Sequence, residues 1–211
     1  MASLQPRHDL GIVRTEGGLL SGAGDSIRVY EGIPFAAPPV GERRWRPPKP
    51  AEPWDGIREA TRFGPDCPQE LRPGSRAGRI EEDCLTLNIW TPARAADEAL
   101  PVMVWFYGGS FLFGSASDIR FDGEAFARKG VVLVTAAYRV GLFGFLAHPG
   151  LTRESPHGSS GNLRYPWGRA PSRAFGLKSR PPCRRRGREH STRVGGWLRE
   201  GARKERASRK F

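Results

Sequence analysis

Apolar residues in this chain gather into short β-favouring runs separated by glycine and proline. Residues 102–107 (VMVWFY) and 131–137 (VVLVTAA) are continuous runs of this kind, the first ending at Gly108 and Gly109 and the second preceded by Gly130. An uninterrupted apolar run of this length, bounded by turn residues, suits a strand covered on both faces. Each is therefore predicted as a fully buried strand, the first closing in a tight turn. Between them, residues 121–129 (FDGEAFARK) predict a short helix, with Asp122 as its N-cap and Gly130 as its stop. Strand, helix and strand in that order imply a right-handed parallel crossover and hence an α/β sheet.

The flanking segments follow other patterns. Residues 9–35 alternate short β-favouring pieces with glycine turns, which predicts small antiparallel strands at a sheet edge. Residues 33–54 carry prolines at positions 34, 38, 39, 47, 48, 50 and 53. Proline removes a backbone donor and fixes φ, so this segment is predicted as an irregular ordered wrap anchored by Phe35, Trp45 and Trp54. A disordered proline-rich linker is the alternative. Residues 85–90 (LTLNIW) place large apolar side chains at every second position and predict a strand that Pro92 ends. Residues 138–149 (YRVGLFGFLAHP) read as a packed loop, and residues 155–162 (SPHGSSGN) as turn material.

Charge divides the chain into two parts. Of its 34 Lys and Arg and 22 Asp and Glu, residues 1–162 hold 18 and 19, and residues 163–211 hold 16 and 3. The net charge of +12 thus belongs to the tail, and a nucleic-acid-binding role for the whole chain does not follow from it. The tail is rich in Arg, Gly, Pro and Ser and shows no helical or strand period. Three readings fit it: a disordered solvated tail, an arm that neutralises phosphates through Arg184, Arg185 and Arg186, and GC-rich coding DNA read out of frame. Abrupt loss of pattern after Asn162 favours the third. No secretory leader and no apolar stretch near 18 residues is seen, which favours a cytoplasmic location and no membrane span. Three cysteines, none in a C-x-x-C spacing, leave the redox compartment open.

The candidate chemistry lies at the glycine turn. Gly108, Gly109 and Ser110 follow an apolar strand, where glycine lets backbone N–H groups converge on a developing negative charge. A plain structural turn is the alternative. No serine of the 211 residues has glycine two positions before and two after it, so the G-x-S-x-G nucleophile turn is not present. His8, His148, His157 and His190 each lack a nucleophile and an orienting acid in pattern, and none is assigned a catalytic role.

Four longer blocks occur in order: residues 30–47 (YEGIPFAAPPVGERRWRP), 82–92 (EDCLTLNIWTP), 102–114 (VMVWFYGGSFLFG) and 138–146 (YRVGLFGFL), followed by Ser160-Gly161-Asn162. Together they resemble the N-terminal part of the type-B carboxylesterases, α/β-hydrolases that include bacterial carboxylesterases, lipases and cholinesterases. The resemblance covers about residues 10–162 and implies the N-terminal part of a mostly parallel central sheet; the composition of the residues after it predicts a disordered basic tail. It makes residues 1–162 part of a carboxylesterase domain and residues 163–211 a separate tail.

For activity, the resemblance implies hydrolysis of a small-molecule carboxylic ester by acyl transfer to serine, with no metal and no cofactor. Gly108, Gly109 and Ser110 would then supply oxyanion-hole N–H groups. It implies a loop-closing disulfide between Cys67 and Cys84, with two reduced thiols as the alternative. It implies a buried ion pair between Arg44 and Glu82 that holds the proline-rich wrap, and at Arg139 an arginine whose carboxylate partner lies downstream and is not found in this chain. Nucleophile, acid and catalytic histidine are not found, so an inactive truncated or frameshifted fragment is expected, partly folded and prone to aggregate. A non-catalytic cholinesterase-like binding protein and a nucleic-acid binder acting through the tail are the alternatives.

Overall fold

The computed structural model describes residues 11–70, 72–95 and 98–154. The chain separates into two units, Met1–Ser179 and Arg180–Phe211, and every described residue belongs to the first. The expected turn at residues 155–162 and the basic tail at 163–211 lie outside the described residues.

Three short strands open the chain: β1 (Ile12–Arg14), β2 (Leu19–Ser21) and, after the long strand β3 (Arg28–Pro34), β4 (Ile57–Glu59). β1 and β2 pair antiparallel and β4 joins β2 in parallel, forming a small three-stranded sheet. Its β1–β2 turn is held by Trp54, whose indole lies where a Cβ on Gly17 would sit, 2.4 Å away, and donates to Leu19 O at 2.8 Å. That contact explains two adjacent glycines. A side chain at either position would collide with the ring.

The main sheet holds β3, β5 (Thr86–Thr91), β6 (Val102–Trp105) and β7 (Val132–Ala136) in the order β3-β5-β7-β6. β5 pairs antiparallel with both β3 and β7, and only β6–β7 is parallel. The parallel pair is the one joined by a helical crossover, since reversing the chain twice needs that length. β3 bends at a bulge between Tyr30 and Ile33, where Gly32 takes φ +64°.

Two predictions for this region need correction. Residues 102–107 were expected to form a fully buried strand, yet all four residues of β6 are exposed. Their apolar run fits an interior strand, but β6 is the outer strand of the described sheet, and its side chains are exposed by 38–43%. Residues 138–149 were expected to be loop, and they contain the helix α2 (Gly141–Phe145) and the start of α3 (Pro149–Glu154). Glycine at 141 and 144 hid the first, since glycine lowers helix propensity.

The predicted crossover helix is shorter than its sequence suggests. α1 spans Glu124–Ala127 and is preceded by a 3-10 turn at Ile119–Phe121. The N-cap is Gly123 and not the expected Asp122, which lies one residue earlier with its carboxylate accepting from Glu124 N–H at 3.0 Å, and Gly130 turns the chain with φ +80°. The proline-rich segment is an ordered wrap, closed by Ala37 N–H donating to Lys49 O at 2.9 Å and by Trp45 donating to Leu142 O at 2.8 Å.

One buried amide ties the sheet together. Asn88 on β5 accepts from Gly32 N–H at 2.9 Å and donates to Thr135 Oγ1 at 2.9 Å and Ala116 O at 3.2 Å. Asn88 and Thr135 are both buried, and these bonds satisfy three of the four valences of the amide. Three strands and the loop after the glycine turn therefore share one polar link. Tyr30, Leu87, Ile89, Val132 and Val134 belong to one buried apolar cluster, on the sheet face opposite Asn88 and Thr135 along β5 and β7.

Candidate functional site

β6 delivers the chain to Tyr107, which is buried, and then to the turn at Gly108, Gly109 and Ser110. Gly109 takes φ +139°, Ser110 φ 54° and Phe111 φ 63°. Two successive non-glycine residues in the left-handed region are uncommon and cost strain that the surroundings must hold in place. Gly109 O accepts from both Leu112 N–H at 3.0 Å and Phe113 N–H at 3.3 Å, closing the turn on itself. A Cβ on Gly109 would lie 2.0 Å from Phe113 O, whereas one on Gly108 would meet nothing within 4 Å. Only the second glycine is demanded by the fold.

Among the described residues, the amides of Gly108, Gly109 and Ser110 have no hydrogen-bond acceptor, and Gly108 and Ser110 are exposed. Free, solvent-reached N–H groups in succession are what a bound oxyanion requires. Gly108 also borders a cleft of about 600 Å³, lined in part by Gln69, Arg72, Phe113, Ser115 and Asp118.

Three anchors fix the turn. On its N-terminal side, the rings of Tyr107 and Tyr138 stack with centroids 4.4 Å apart. Tyr107 Oη donates to Tyr138 O at 2.9 Å, and Tyr138 Oη donates to Tyr107 O at 2.8 Å. Burial pushes both phenols above the usual tyrosine range, so they act as neutral donors. In the middle, Gly141 N–H donates to Phe111 O at 2.7 Å. On the C-terminal side, Gln69 binds both polar groups of Gly114: Gly114 N–H donates to Gln69 Oε1 at 2.7 Å and Gln69 Nε2 donates to Gly114 O at 2.8 Å. Gly114 must be glycine, since it takes φ +135° and a Cβ would lie 2.2 Å from the Tyr107 ring.

A polar cluster forms part of the cleft wall. Ser75 Oγ donates to Asp66 Oδ2 at 2.6 Å, and the Ser115 and Ser117 hydroxyls share a bond of 2.8 Å. Burial raises the Asp66 carboxyl above the usual range, with the serine hydroxyls opposing it. The Asp118 carboxyl is held below that range by its hydrogen bond to Arg120, at 2.6 and 2.9 Å.

The other residues singled out from the sequence fall close by. Cys67 and Cys84 are buried and unbridged. In place of a disulfide, Cys67 Sγ accepts from Val140 N–H at 3.2 Å. The Cys84 thiol, hydrogen-bonded to Cys67 and fully desolvated, is pushed far up and stays protonated. Arg44 meets Glu82 through two bonds of 2.6 Å. The pair is half-buried, not buried, at 38% and 22% side-chain exposure. Arg139 is buried and donates to Arg46 O at 3.0 Å, so it too fastens the wrap. His148 is exposed, and its Nδ1 accepts from Gly150 N–H at 3.1 Å at the start of α3.

A family model for the carboxylesterase family matches residues 9–162. This chain belongs to the carboxylesterase family. It is 53% identical over 150 residues to the fumonisin B1 esterase of Sphingopyxis macrogoltabida, covering 70% of this chain and 28% of that protein. It is 40% identical over 148 residues to the phenmedipham hydrolase of Pseudarthrobacter oxydans, covering 66% of this chain and 30% of that one. Among solved structures, the carboxylesterase EST55 of Geobacillus stearothermophilus aligns with a TM-score of 0.65 at 45% identity, over 72% of this chain and 31% of its own. A PNB esterase aligns with a TM-score of 0.63 at 38% identity, over 72% of this chain and 32% of its own. The fold is the N-terminal portion of the α/β-hydrolase carboxylesterases, and the chain spans under a third of these relatives.

Among the described residues no helix is long and apolar enough to cross a membrane, and no three His, Cys, Asp or Glu gather to hold a metal ion. Sequence reasoning missed Gln69, Asn88 and the tyrosine pair. Gln69 sits two residues after Cys67, but its partner is 45 residues away and no local pattern points to it.

Proposed function

We propose that Gly108, Gly109 and Ser110 are the oxyanion hole of a serine carboxylic ester hydrolase, and that the 211-residue chain alone does not turn over an ester. The observation that carries the first half is the row of three acceptorless amides at the end of β6, held by Gln69 and the tyrosine pair. When a nucleophile adds to an ester carbonyl, its oxygen gains a full negative charge. Preorganised N–H donors stabilise that charge without reorganising, each contributing on the order of 3 kcal/mol. Substrates are small carboxylic esters on this reading, consistent with relatives named as esterases.

The second half rests on what the chain's own serines do. Ser110 has φ 54° and no basic partner, while Ser75, Ser115 and Ser117 bond to one another and to Asp66. None has a histidine beside it among the described residues, so none can lose its proton to a base as the serine mechanism requires. Arg44, Glu82 and Arg139 serve structure by holding the wrap against the sheet.

Hydrolysis of p-nitrophenyl acetate by the purified full chain tests the reading. The expected steady-state rate equals that of buffer with an equal mass of the heat-denatured chain. Saturable turnover above that level would contradict it.

A further inference from the structure

Two arginines, Arg72 and Arg120, line the cleft of about 600 Å³ that Gly108 borders. Arg120 is engaged by its own neighbour, its Nε and Nη2 donating to the Asp118 carboxylate at 2.9 and 2.6 Å. Asp66, the other carboxyl of the cleft, accepts from Ser75 Oγ at 2.6 Å. Arg72 is exposed and takes part in no ion pair among the described residues. The cleft therefore holds a positive charge that none of its own carboxylates balances.

That charge is held in place. The Arg72 guanidinium lies over the Phe113 ring, 3.9 Å from its centroid. A cation–π contact of this kind fixes the group, while its planar fork of N–H donors stays available to a carboxylate, which it matches with two parallel bonds. Phe113 is itself tied to the glycine turn, its N–H donating to Gly109 O at 3.3 Å, and the next residue is the Gly114 that Gln69 clamps. Arg72 thus rides on the same loop that presents the acceptorless amides. Pro73, Ile119 and Phe121 add apolar wall. Apolar walls with a few fixed polar groups, in a volume of this size, suit a small organic ligand.

We propose that Arg72 is a specificity-determining residue that binds a free carboxylate. The esters this cleft admits then carry a carboxylate beside the ester group, as a half-ester of a dicarboxylic acid does. The carboxylate site stands on Arg72, Phe113 and the cleft; that its ligand is an ester rests on the reading of Gly108, Gly109 and Ser110.

The test is titration of the full 211-residue chain at neutral pH with two probes, followed by NMR of the backbone amides and the arginine Nε–H groups. Monomethyl glutarate has one carboxylate and one ester, and dimethyl glutarate is its neutral counterpart. Saturable shifts are expected at Arg72 Nε–H and at the Phe113 and Gly114 amides with the half-ester, and the diester should bind about tenfold more weakly or worse. Arg72→Gln should weaken half-ester binding by about tenfold or more, and Arg72→Lys, which keeps the charge without the fork, should restore only part of it. Arg58→Gln removes a cation that lies over Trp54 in the small sheet and should leave binding unchanged. Unaltered exchange at the Gly114 amide shows that the Arg72 variants fold.

Equal affinity for the two esters, or native affinity in Arg72→Gln, would overturn the proposal. So would shifts confined to residues 163–211, or no binding of either probe. The amides of Gly108, Gly109 and Ser110 are read in the same spectra. A response at Arg72 without one at those amides upholds the carboxylate site and counts against the oxyanion hole. The reverse pattern overturns the carboxylate site alone.

Discussion

Tyr107 and Tyr138 each donate their hydroxyl to the other's carbonyl oxygen, at 2.9 and 2.8 Å, with their rings stacked between. Tyr107 follows β6 and Tyr138 follows β7, so the exchange locks the ends of the two parallel strands at the point where the glycine turn begins. Tyr107→Phe removes a donor from a buried carbonyl, which costs about 1–3 kcal/mol. Native-state hydrogen exchange should show that loss at residues 132–136, with a smaller change in β1 and β2. Equal loss everywhere would mean that the pair holds the whole fold and not the strand ends.

The two glycines of the turn should respond differently. Gly109→Ala sets a Cβ against Phe113 O in a backbone conformation that side chains rarely adopt, and should destabilise the turn by about 1–3 kcal/mol. Gly108→Ala meets open space and should stay within about 0.5 kcal/mol of the native chain. Exchange rates at Leu112 and Phe113, whose amides bond to Gly109 O, separate the two. Similar losses in both variants would show that the turn geometry is misassigned.

Gln69 clamps Gly114 through a donor and an acceptor, so removing each half should have its own signature. Gln69→Ala should speed exchange of the Gly114 amide about 10- to 100-fold. Gln69→Glu keeps the acceptor and should preserve most of that protection. If both variants exchange alike, the acceptor is not what holds Gly114.

Stability should also depend on pH through Asp66. Burial raises its folded pKa above the ordinary value, so above about pH 4 the folded chain retains a proton that the unfolded chain has released. The contribution of Asp66 to stability is therefore greatest below that pH and falls as pH rises through the raised pKa. Asp66→Asn keeps an oxygen to accept from Ser75 and should flatten the decline. Glu31 and Asp83, also raised by burial, act in the same direction, so some slope should remain. Urea midpoints between pH 4 and 7 measure it, and an unchanged slope in the variant would count against a buried Asp66.

Much of this was legible in the sequence because it is written locally. Alternation at residues 85–90 and the apolar run at 131–137 mark strands that the structure places at 86–91 and 132–136. Asp122 and Gly130 bracket a helix one turn long, although its N-cap is Gly123. The open state of β6 was not legible, because a run suited to burial does not tell whether its neighbours are present. Nor were Gln69 and Asn88, whose partners lie 45 and 47 residues away and whose roles depend on the folded path of the chain. Ser110 and Phe111 hide their strain for the same reason, since neither residue type favours a positive φ.

The most direct test of an anion-holding turn without its own nucleophile is intact-mass analysis of the purified chain after exposure to a fluorophosphonate. The account predicts an unchanged mass at every reagent concentration that fully labels the fumonisin B1 esterase. A stoichiometric phosphonyl adduct on any serine of the chain would contradict it.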